Sequence, residues 1–592
     1  MDYVRRLFRK LVPPRAETSA VGVTIILAGF VGIGAGLMAL LIGWLISFLN
    51  RNVFFRIGQA VGVLPEPWHY ALILVPPVVF LGVGYALRRL APEAVGTGIS
   101  QVMSAVGRGG GYIRRRVIAV KALATAVCIG AGAPLGVEGP VVQTGAAVGS
   151  AVGSRFKMGV GNIRILVAAG AAAGLAAKYG AAIGGAVFSA ELILGSASTA
   201  ALLPLIAAAF LAVLTRHAVL GGVPEYYIPA EQFSFTVLDY VLFIALGVLC
   251  GIAAVYFIKL LFATEDVMRR LLSRWWAMAL VGGLLVGGVG FLRPELLGTG
   301  HDVIQRLLER PAFPVKMLLL FILLKPFLCS VALGSRQSGG IFAPSLFTGA
   351  ALGAVFARLL SDTFGLQVAH SSAYVIVGMA AVMGAVMRAP LQAILVSFEL
   401  AHNYSVVPPL MIACVISLKV SELFEPESAF TRWLVRKGER LRQGMDFALL
   451  EDLTVRDIMH RDYVALPADA GIDEIDQLVQ KSENRTFPVT DEEGGLRGIV
   501  MLASLIRAGS RAREPGTMPR VADLIEPTAV SLHPGNSLEE AWRTMGNYDY
   551  DCLPVCEAGQ MGLEIIGICE KEAIVEMHDR RAFVSLSRGK RN

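Results

Sequence analysis

From about Val21 to Val435 the chain is a succession of apolar segments with short polar breaks, at 21–50, 69–90, 115–135, 140–153, 163–176, 181–220, 237–262, 276–292, 315–334, 342–360, 373–386, 390–401 and 406–422. These read as membrane helices. A full span needs roughly 20 residues, and several segments are shorter, so half-spanning or steeply tilted helices are expected, with ends inside the membrane. Val21–Asn50 is too long for the apolar region of a signal peptide and lacks a small-residue cleavage site, so it reads as the first retained membrane helix. After Arg442 the pattern changes to mixed charge with the patterning of a soluble domain.

Composition agrees with the pattern. Of 592 residues 55% are hydrophobic and 17% charged, which excludes a soluble globular, disordered or nucleic-acid-binding chain. Mean hydropathy is +0.61. The net charge of +7 comes with basic clusters at segment edges, Arg5, Arg6, Arg9, Lys10 and Arg15 before the first apolar run and Arg114 to Arg116 between two others. That bias places the N-terminus in the cytoplasm. Many of the 64 glycines lie inside apolar segments, where small residues let helices approach closely. The seven cysteines are odd in number and lie in apolar runs or in the polar C-terminal part, which argues against a disulfide framework.

The membrane part repeats. GVEGPVVQTGAAVG (Gly136 to Gly149) and GIFAPSLFTGAALG (Gly340 to Gly353) agree at seven of fourteen positions at an offset of 204 residues. AAIGGAVFSAEL (Ala181 to Leu192) and APLQAILVSFEL (Ala389 to Leu400) share Ala181, Ser189, Glu191 and Leu192 at an offset of 208. A block of helices has been duplicated, and such halves, often inverted in the membrane, mark transport folds that bind substrate near the midplane.

Three Gly-rich loops each open onto a helix: GTGIS (Gly96 to Ser100), GVEGP (Gly136 to Pro140) and GGIFAP (Gly339 to Pro344). A helix N-terminus presents unpaired N–H groups and about half a positive charge. Several such ends aimed at one point in a low dielectric make an anion site without any full cation. The absence of Lys or Arg from these loops suits conduction, because a full charge would hold the anion too tightly to release. Glu138 stands out, since a carboxylate in an apolar half-helix costs roughly 2.5–3.5 kcal/mol at the bilayer centre and is retained for function by default. Glu191 and Glu399 match each other across the repeat, which points to helix-end capping, and Lys121, Lys325 and Arg388 read as structural or vestibule charges.

The polar C-terminal part also contains a repeat. Val455 to Ala508 carries VRDIM, a helix around Ile472 to Val479, the strand TFPVT and GIVMLASLI; Val521 to Met577 carries VADLI, a helix around Leu538 to Met545, CLPVC and IIGICEKEAIV. This tandem β-α-β-β-α layout resembles a pair of cystathionine-β-synthase-type (CBS) modules, expected in the cytoplasm. With the three loops in this order, the chain resembles the CLC family of chloride channels and chloride/proton exchangers. The resemblance implies an all-α polytopic membrane protein of inverted-repeat CLC architecture with a cytoplasmic α/β tandem CBS domain. Its expected divisions are a cytoplasmic segment 1–20, a transport domain 21–440 with halves of about 21–220 and 237–440, CBS 1 at 452–510 and CBS 2 at 519–580. It further implies a homodimer in the plasma or inner membrane, one pore per subunit, and both termini cytoplasmic.

By resemblance, the anion is coordinated by the backbone of Ile341 and Phe342, by the Thr97 hydroxyl and by N–H groups near Glu138. The candidate anion-binding set is Thr97, Gly98, Gly136, Val137, Glu138, Gly139, Gly340, Ile341, Phe342, Ala343 and Phe430, with Glu138 as the gate. Three positions depart from the exchanger pattern. Leu192 stands where a second, proton-collecting Glu usually follows the position of Glu191. Thr97 replaces a serine, and Phe430 replaces the inner-gate tyrosine. The changes at Leu192 and Phe430 favour passive, voltage- and pH-gated chloride conduction over coupled chloride/proton antiport, the alternative within the family; a membrane sensor with vestigial transport is a second alternative. No enzyme activity, metal or cofactor is expected; chloride or a similar monovalent anion and the lipid bilayer are the expected partners, and nucleic acid is not.

The ribose-binding positions of nucleotide-binding CBS modules are Met501 and Ser504 in the first module and Glu570 and Ala573 in the second, so both ribose aspartates are missing and adenine nucleotide is not expected to bind. Cys552 and Cys556 flank an expected buried strand, which favours core packing over a metal site.

Overall fold

The computed structural model describes residues 16–588 except 55, 58, 60–69, 108–109, 196–198, 229–232, 310–312, 365–370, 438–449, 451–452, 472–483, 485, 503, 506–507, 509–519, 526–529, 549 and 560–561. The N-terminal basic cluster and the first-module helix around 472–479 therefore lie outside the described residues. The chain divides into two compact units, Met1–Gly444 and Met445–Asn592.

In the first unit the apolar segments become helices, and two further helices, Ile99–Gly107 and His301–Glu309, form between them: α1 (Ala16–Leu49), α2 (Val75–Leu90), α3 (Ile99–Gly107), α4 (Arg116–Gly130), α5 (Glu138–Arg155), α6 (Val160–Tyr179), α7 (Ala182–Phe188) and α8 (Thr199–Leu220). The same order recurs in α9 (Val237–Leu271), α10 (Trp275–Leu292), α11 (His301–Glu309), α12 (Val315–Gly334), α13 (Phe342–Phe364), α14 (Ser371–Met387), α15 (Pro390–Ala401) and α16 (Val407–Phe424). A final short helix, α17 (Ala429–Arg436), starts from Ser428, whose side chain accepts N–H bonds from Phe430 and Thr431. Among the described residues eight helices are long and apolar enough to cross a membrane. The expected single segment 181–220 is two helices: α7 runs into a π turn, Ser189–Leu194, that Gly195 ends in the left-handed region at φ +66°.

Small residues set the helix spacing within each half, and the two halves do it identically. A Cβ on Gly145 would lie 2.2 Å from the Gly170 carbonyl oxygen, and one on Gly349 2.2 Å from that of Gly378. Gly149 meets Leu166 and Gly353 meets Tyr374 in the same way, at 2.0 and 2.1 Å. Side-chain-free crossings let α5 lie against α6, and α13 against α14, at backbone distance; in lipid, packing of this kind replaces the missing hydrophobic drive for helix association.

Buried cations repeat as well. Lys121 donates to the carbonyls of Ala94 (2.9 Å) and Gly96 (2.7 Å). Lys325, 204 residues on, donates to those of Leu296 (2.9 Å) and Gly298 (2.8 Å). Each lysine pins a loop of its own half, Lys121 the one at Gly96 and Lys325 the one at Gly298 that precedes α11, which is the structural reading of both. Arg388 is likewise turned onto backbone, with the carbonyls of Leu418 and Glu425 as acceptors.

In the second unit β1 (Leu466–Pro467) pairs in parallel with β2 (Thr486–Thr490), which pairs antiparallel with β3 (Leu496–Met501). β4 (Cys552–Gly559) and β5 (Gly562–Glu570) form an antiparallel pair, flanked by α18 (Leu538–Tyr548) and α19 (Lys571–Arg588). The two modules touch through Thr486, which donates to Asp551, and Asn484, which donates to Glu570 at 2.9 Å. Glu570, at a ribose position of the second module, is thus already engaged by protein. Cys552, Cys556 and Cys569 are buried free thiols, and burial pushes all three up, Cys556 to about 11 and Cys569 to about 12. No cluster able to hold a metal is found among the described residues.

Candidate anion site and gate

The second and third Gly-rich loops meet by pairing with each other. Gly136 N–H donates to the Gly340 carbonyl at 2.7 Å, and Gly340 N–H to the Gly136 carbonyl at 2.6 Å. These two residues are each other's counterpart in the repeat. A reciprocal bond between counterparts requires a local two-fold axis between them, so the pair marks where the inverted halves join. From this junction α5 and α13 lead away, with Glu138 and Phe342 as their first residues. Val137, which precedes α5, makes no side-chain cap bond, and the helix dipole lies behind the first N–H groups.

The first loop closes on the same point. Gly139 has no room for a side chain, because a Cβ there would lie 1.9 Å from the Thr97 carbonyl oxygen. Gly98 sits at φ +90°, in the left-handed region that glycine tolerates, against the Gly139 carbonyl. Gly96 N–H bonds the Gln337 carbonyl at 3.0 Å and Gly339 N–H the Gly96 carbonyl at 3.3 Å, joining the first loop to the third. Behind them Thr125 and Ser338 share a hydroxyl bond of 2.8 Å. The fourth contributor, α17, places Phe430 in full burial, with its carbonyl accepting from Ser100 Oγ at 3.4 Å.

The structure therefore brings together Thr97, Gly98, Gly136, Val137, Glu138, Gly139, Gly340, Ile341, Phe342 and Ala343, and sets Phe430 beside Ser100 at the end of the first loop. Ile341, Phe342, Ala343 and Val137 are buried. Thr97 enters through its carbonyl oxygen, which lies against Gly139.

Glu138 is fully buried, and its carboxylate crosses the junction between the halves. One oxygen accepts the Ala343 N–H at 3.3 Å, from the first turn of α13. The other accepts the Tyr179 hydroxyl at 2.6 Å. Tyr179, the last residue of α6, was not legible as a site residue: it lies in an Ala-rich segment, 41 residues from Glu138, with no motif around it.

Next to Tyr179 a polar cluster gathers around Glu225, in the connection between α8 and α9. Lys178 and Arg216 pair with its carboxylate, and His301, whose ring accepts or donates to Tyr226 OH, lies 3.9 Å away. Burial by itself raises the Glu225 carboxyl, but Lys178, His301 and Arg216 outweigh it and hold the group at about 2.

Leu192 is 8% exposed and packs in the apolar core of the first unit. Glu191 is held by the N–H groups of Leu391 (3.2 Å) and Gln392 (2.9 Å), at the start of α15. Glu399 in return takes those of Ile183 (3.0 Å) and Gly184 (2.6 Å), at the start of α7. Each half caps a half-helix of the other. Glu191 lies in the π turn, so an ordinary 100° helical step from Leu192 does not describe its direction; the two N–H donors do.

Comparison with known proteins agrees with this architecture. The family model described as voltage gated chloride channel matches residues 79–422, and the CBS domain model matches 455–511 and 521–578. A putative chloride channel protein ClcB-like from Ralstonia nicotianae is 32% identical over 379 residues, 63% of this chain and 87% of that protein. An H(+)/Cl(-) exchange transporter ClcA from Vibrio parahaemolyticus is 30% identical over 436 residues, 71% of this chain and 91% of that one. The crystal structure of a slow cyanobacterial Cl-/H+ antiporter superposes with a TM-score of 0.65 at 26% identity, covering 70% of this chain and 97% of its own. The chain thus belongs to the voltage-gated chloride channel (CLC) family of multi-pass integral membrane proteins, which are transport proteins and not enzymes, and it carries two CBS domains after the membrane unit.

Proposed function

We propose that this protein conducts chloride, or a similar monovalent anion, passively across the membrane, with Glu138 as the gate. The observation that carries the proposal is the Glu138 carboxylate on the Ala343 N–H, at the start of α13, whose donors suit an anion. A negatively charged side chain there stands in for the transported ion. Protonation or displacement of the side chain frees the donors, and chloride takes the carboxylate's place. In this reading Thr97, Gly98, Gly136, Val137, Gly139, Gly340, Ile341, Phe342 and Ala343 line the anion path, and Phe430 narrows its inner end sterically without donating a hydrogen bond.

Passive flow is favoured over exchange because coupling needs a protonatable group reachable from each side. Leu192 is apolar and buried, and the neighbouring Glu191 is committed to two backbone N–H groups. Relatives bear both channel and exchange-transporter names, so the discriminating experiment is chloride efflux from proteoliposomes with simultaneous external pH recording. Efflux with no uphill proton movement supports the proposal. Robust proton pumping, abolished by Glu138→Gln, would instead make the protein an antiporter.

The functional unit we propose is a homodimer with a pore in each subunit and both termini cytoplasmic. Its transport domain covers 21–440 after a short segment 1–20, and its CBS modules cover 452–510 and 519–580.

A further inference from the structure

Glu138 and Phe342 are counterparts in the repeat, and so are Tyr179 and Met387 at the 208-residue offset. The second half folds around Met387 with no hydroxyl there, so the scaffold does not require the one on Tyr179. The ring is held independently of that hydroxyl. It stacks on Phe342 with centroids 5.4 Å apart and planes inclined at 27°, and Lys178 Nζ lies 5.8 Å from its centroid. Tyr179 is 4% exposed, and its hydroxyl is aimed at Glu138 Oε1.

We infer that the Tyr179 hydroxyl is a shared donor of the anion site: it holds the Glu138 carboxylate in place while the gate is shut, and bonds the transported anion when the carboxylate leaves. The inference rests on Glu138 being the gate. The physical reason is that a buried O–H is costly to leave unpaired. When the carboxylate withdraws, the hydroxyl loses its acceptor, and the anion that replaces the carboxylate meets the same two donors, Tyr179 O–H and Ala343 N–H. The neighbouring polar groups are occupied with one another, Glu225 with Lys178 and Arg216, and Tyr226 with His301. Tyr179 thereby supplies a side-chain hydroxyl that Phe430 lacks, from a different helix.

Tyr179→Phe keeps the ring and deletes only the hydroxyl. Efflux from proteoliposomes is measured at pH 7 against chloride concentration for Tyr179→Phe, Glu138→Ala and the double variant, with calorimetric chloride titration of the last two. In the otherwise unaltered protein, Tyr179→Phe should raise efflux about tenfold, because the closed gate loses a hydrogen bond to a charged group. On the Glu138→Ala background the same substitution should act in the opposite sense, weakening chloride affinity and raising half-saturation about tenfold. Unchanged efflux from Tyr179→Phe, or a change of the same sense on both backgrounds, would overturn the inference, the latter being the mark of a packing effect. Glu138→Ala retaining the pH dependence of the unaltered protein would remove the gate reading, and the inference with it. Failure of Tyr179→Phe while Glu138→Ala flows freely removes the inference alone.

Discussion

The two halves of the membrane unit share a scaffold and differ in chemistry. Lys121 and Lys325, Glu191 and Glu399, Gly145 and Gly349, and Gly136 and Gly340 make matching contacts in the two halves. At the start of α5 and α13 the match stops: α5 begins with Glu138 and α13 with Phe342. Duplication therefore supplies two sets of converging helix dipoles, while one substitution between the copies supplies a titratable plug. These scaffold contacts recur because each ends on a backbone carbonyl, N–H or Cα that both copies present in the same place. The side chain at the first helical position projects into the site and is free to differ.

That contrast gives the largest expected effect. Glu138→Gln should leave the pore open and remove most of the pH dependence of chloride flux, whereas Phe342→Leu, at the counterpart position, should retain it; flux recorded from pH 4.5 to 7.5 checks both. If the two variants behaved alike, the halves would share the gating role.

Next come the crossings. Gly145→Ala and Gly349→Ala each place a Cβ 2.2 Å from an opposing carbonyl oxygen, so each should lower the melting temperature in detergent by a similar amount. Overpacking of this kind costs about 1–3 kcal/mol. A large loss in only one half would show that the packing is not equivalent.

The cluster joins Glu225, in the connection between the halves, to Lys178 and Arg216 of the first half and His301 of the second, and it gives a pH-dependent stability of definite sign. Its carboxyl is depressed from 4.5 to about 2, so its contribution is fully present above pH about 4.5 and is lost as the pH falls toward 2. Glu225→Gln should lower the melting temperature at pH 7 and flatten its decline on acidification; an unchanged acid limb would exclude Glu225 from it.

Removing the reciprocal caps should cost less. Glu191→Ala and Glu399→Ala each free two N–H groups at a half-helix start, and cap losses are worth about 0.5–2 kcal/mol. Equal shifts of melting temperature are expected, with the pH dependence of flux retained. The smallest effect is expected from nucleotide. Millimolar ATP or AMP should leave the melting temperature unchanged, since a ligand that does not bind the native state cannot stabilise it. A concentration-dependent rise, lost when the chain is truncated after Arg442, would contradict this.

Much of this was legible along the chain. The apolar segments at 315–334 and 390–401 coincide with α12 and α15, because a membrane helix announces itself by continuous apolarity. The three loops were legible because glycine and proline are restricted to particular backbone roles. Glu191 and Glu399 were legible as caps because each appeared in both copies. The break inside 181–220 was less so, since a π turn and a left-handed Gly195 leave hydropathy unchanged. Tyr179 was not legible at all, since nothing local distinguishes a tyrosine that stacks in a core from one whose hydroxyl reaches a carboxylate.

By itself, then, the sequence determined the membrane class, the duplicated block, the loops that open onto helices, the carboxylate among them and the tandem C-terminal modules. These are local properties, written in periodicity, in residue type and in repetition. Only the tertiary structure decided that Gly136 and Gly340 pair across a two-fold junction, that Lys121 and Lys325 are spent on holding loops, and that the Glu138 carboxylate rests between Ala343 and Tyr179. Those contacts join residues tens to hundreds of positions apart, and hydrogen-bond geometry exists only once packing has brought donor and acceptor within reach.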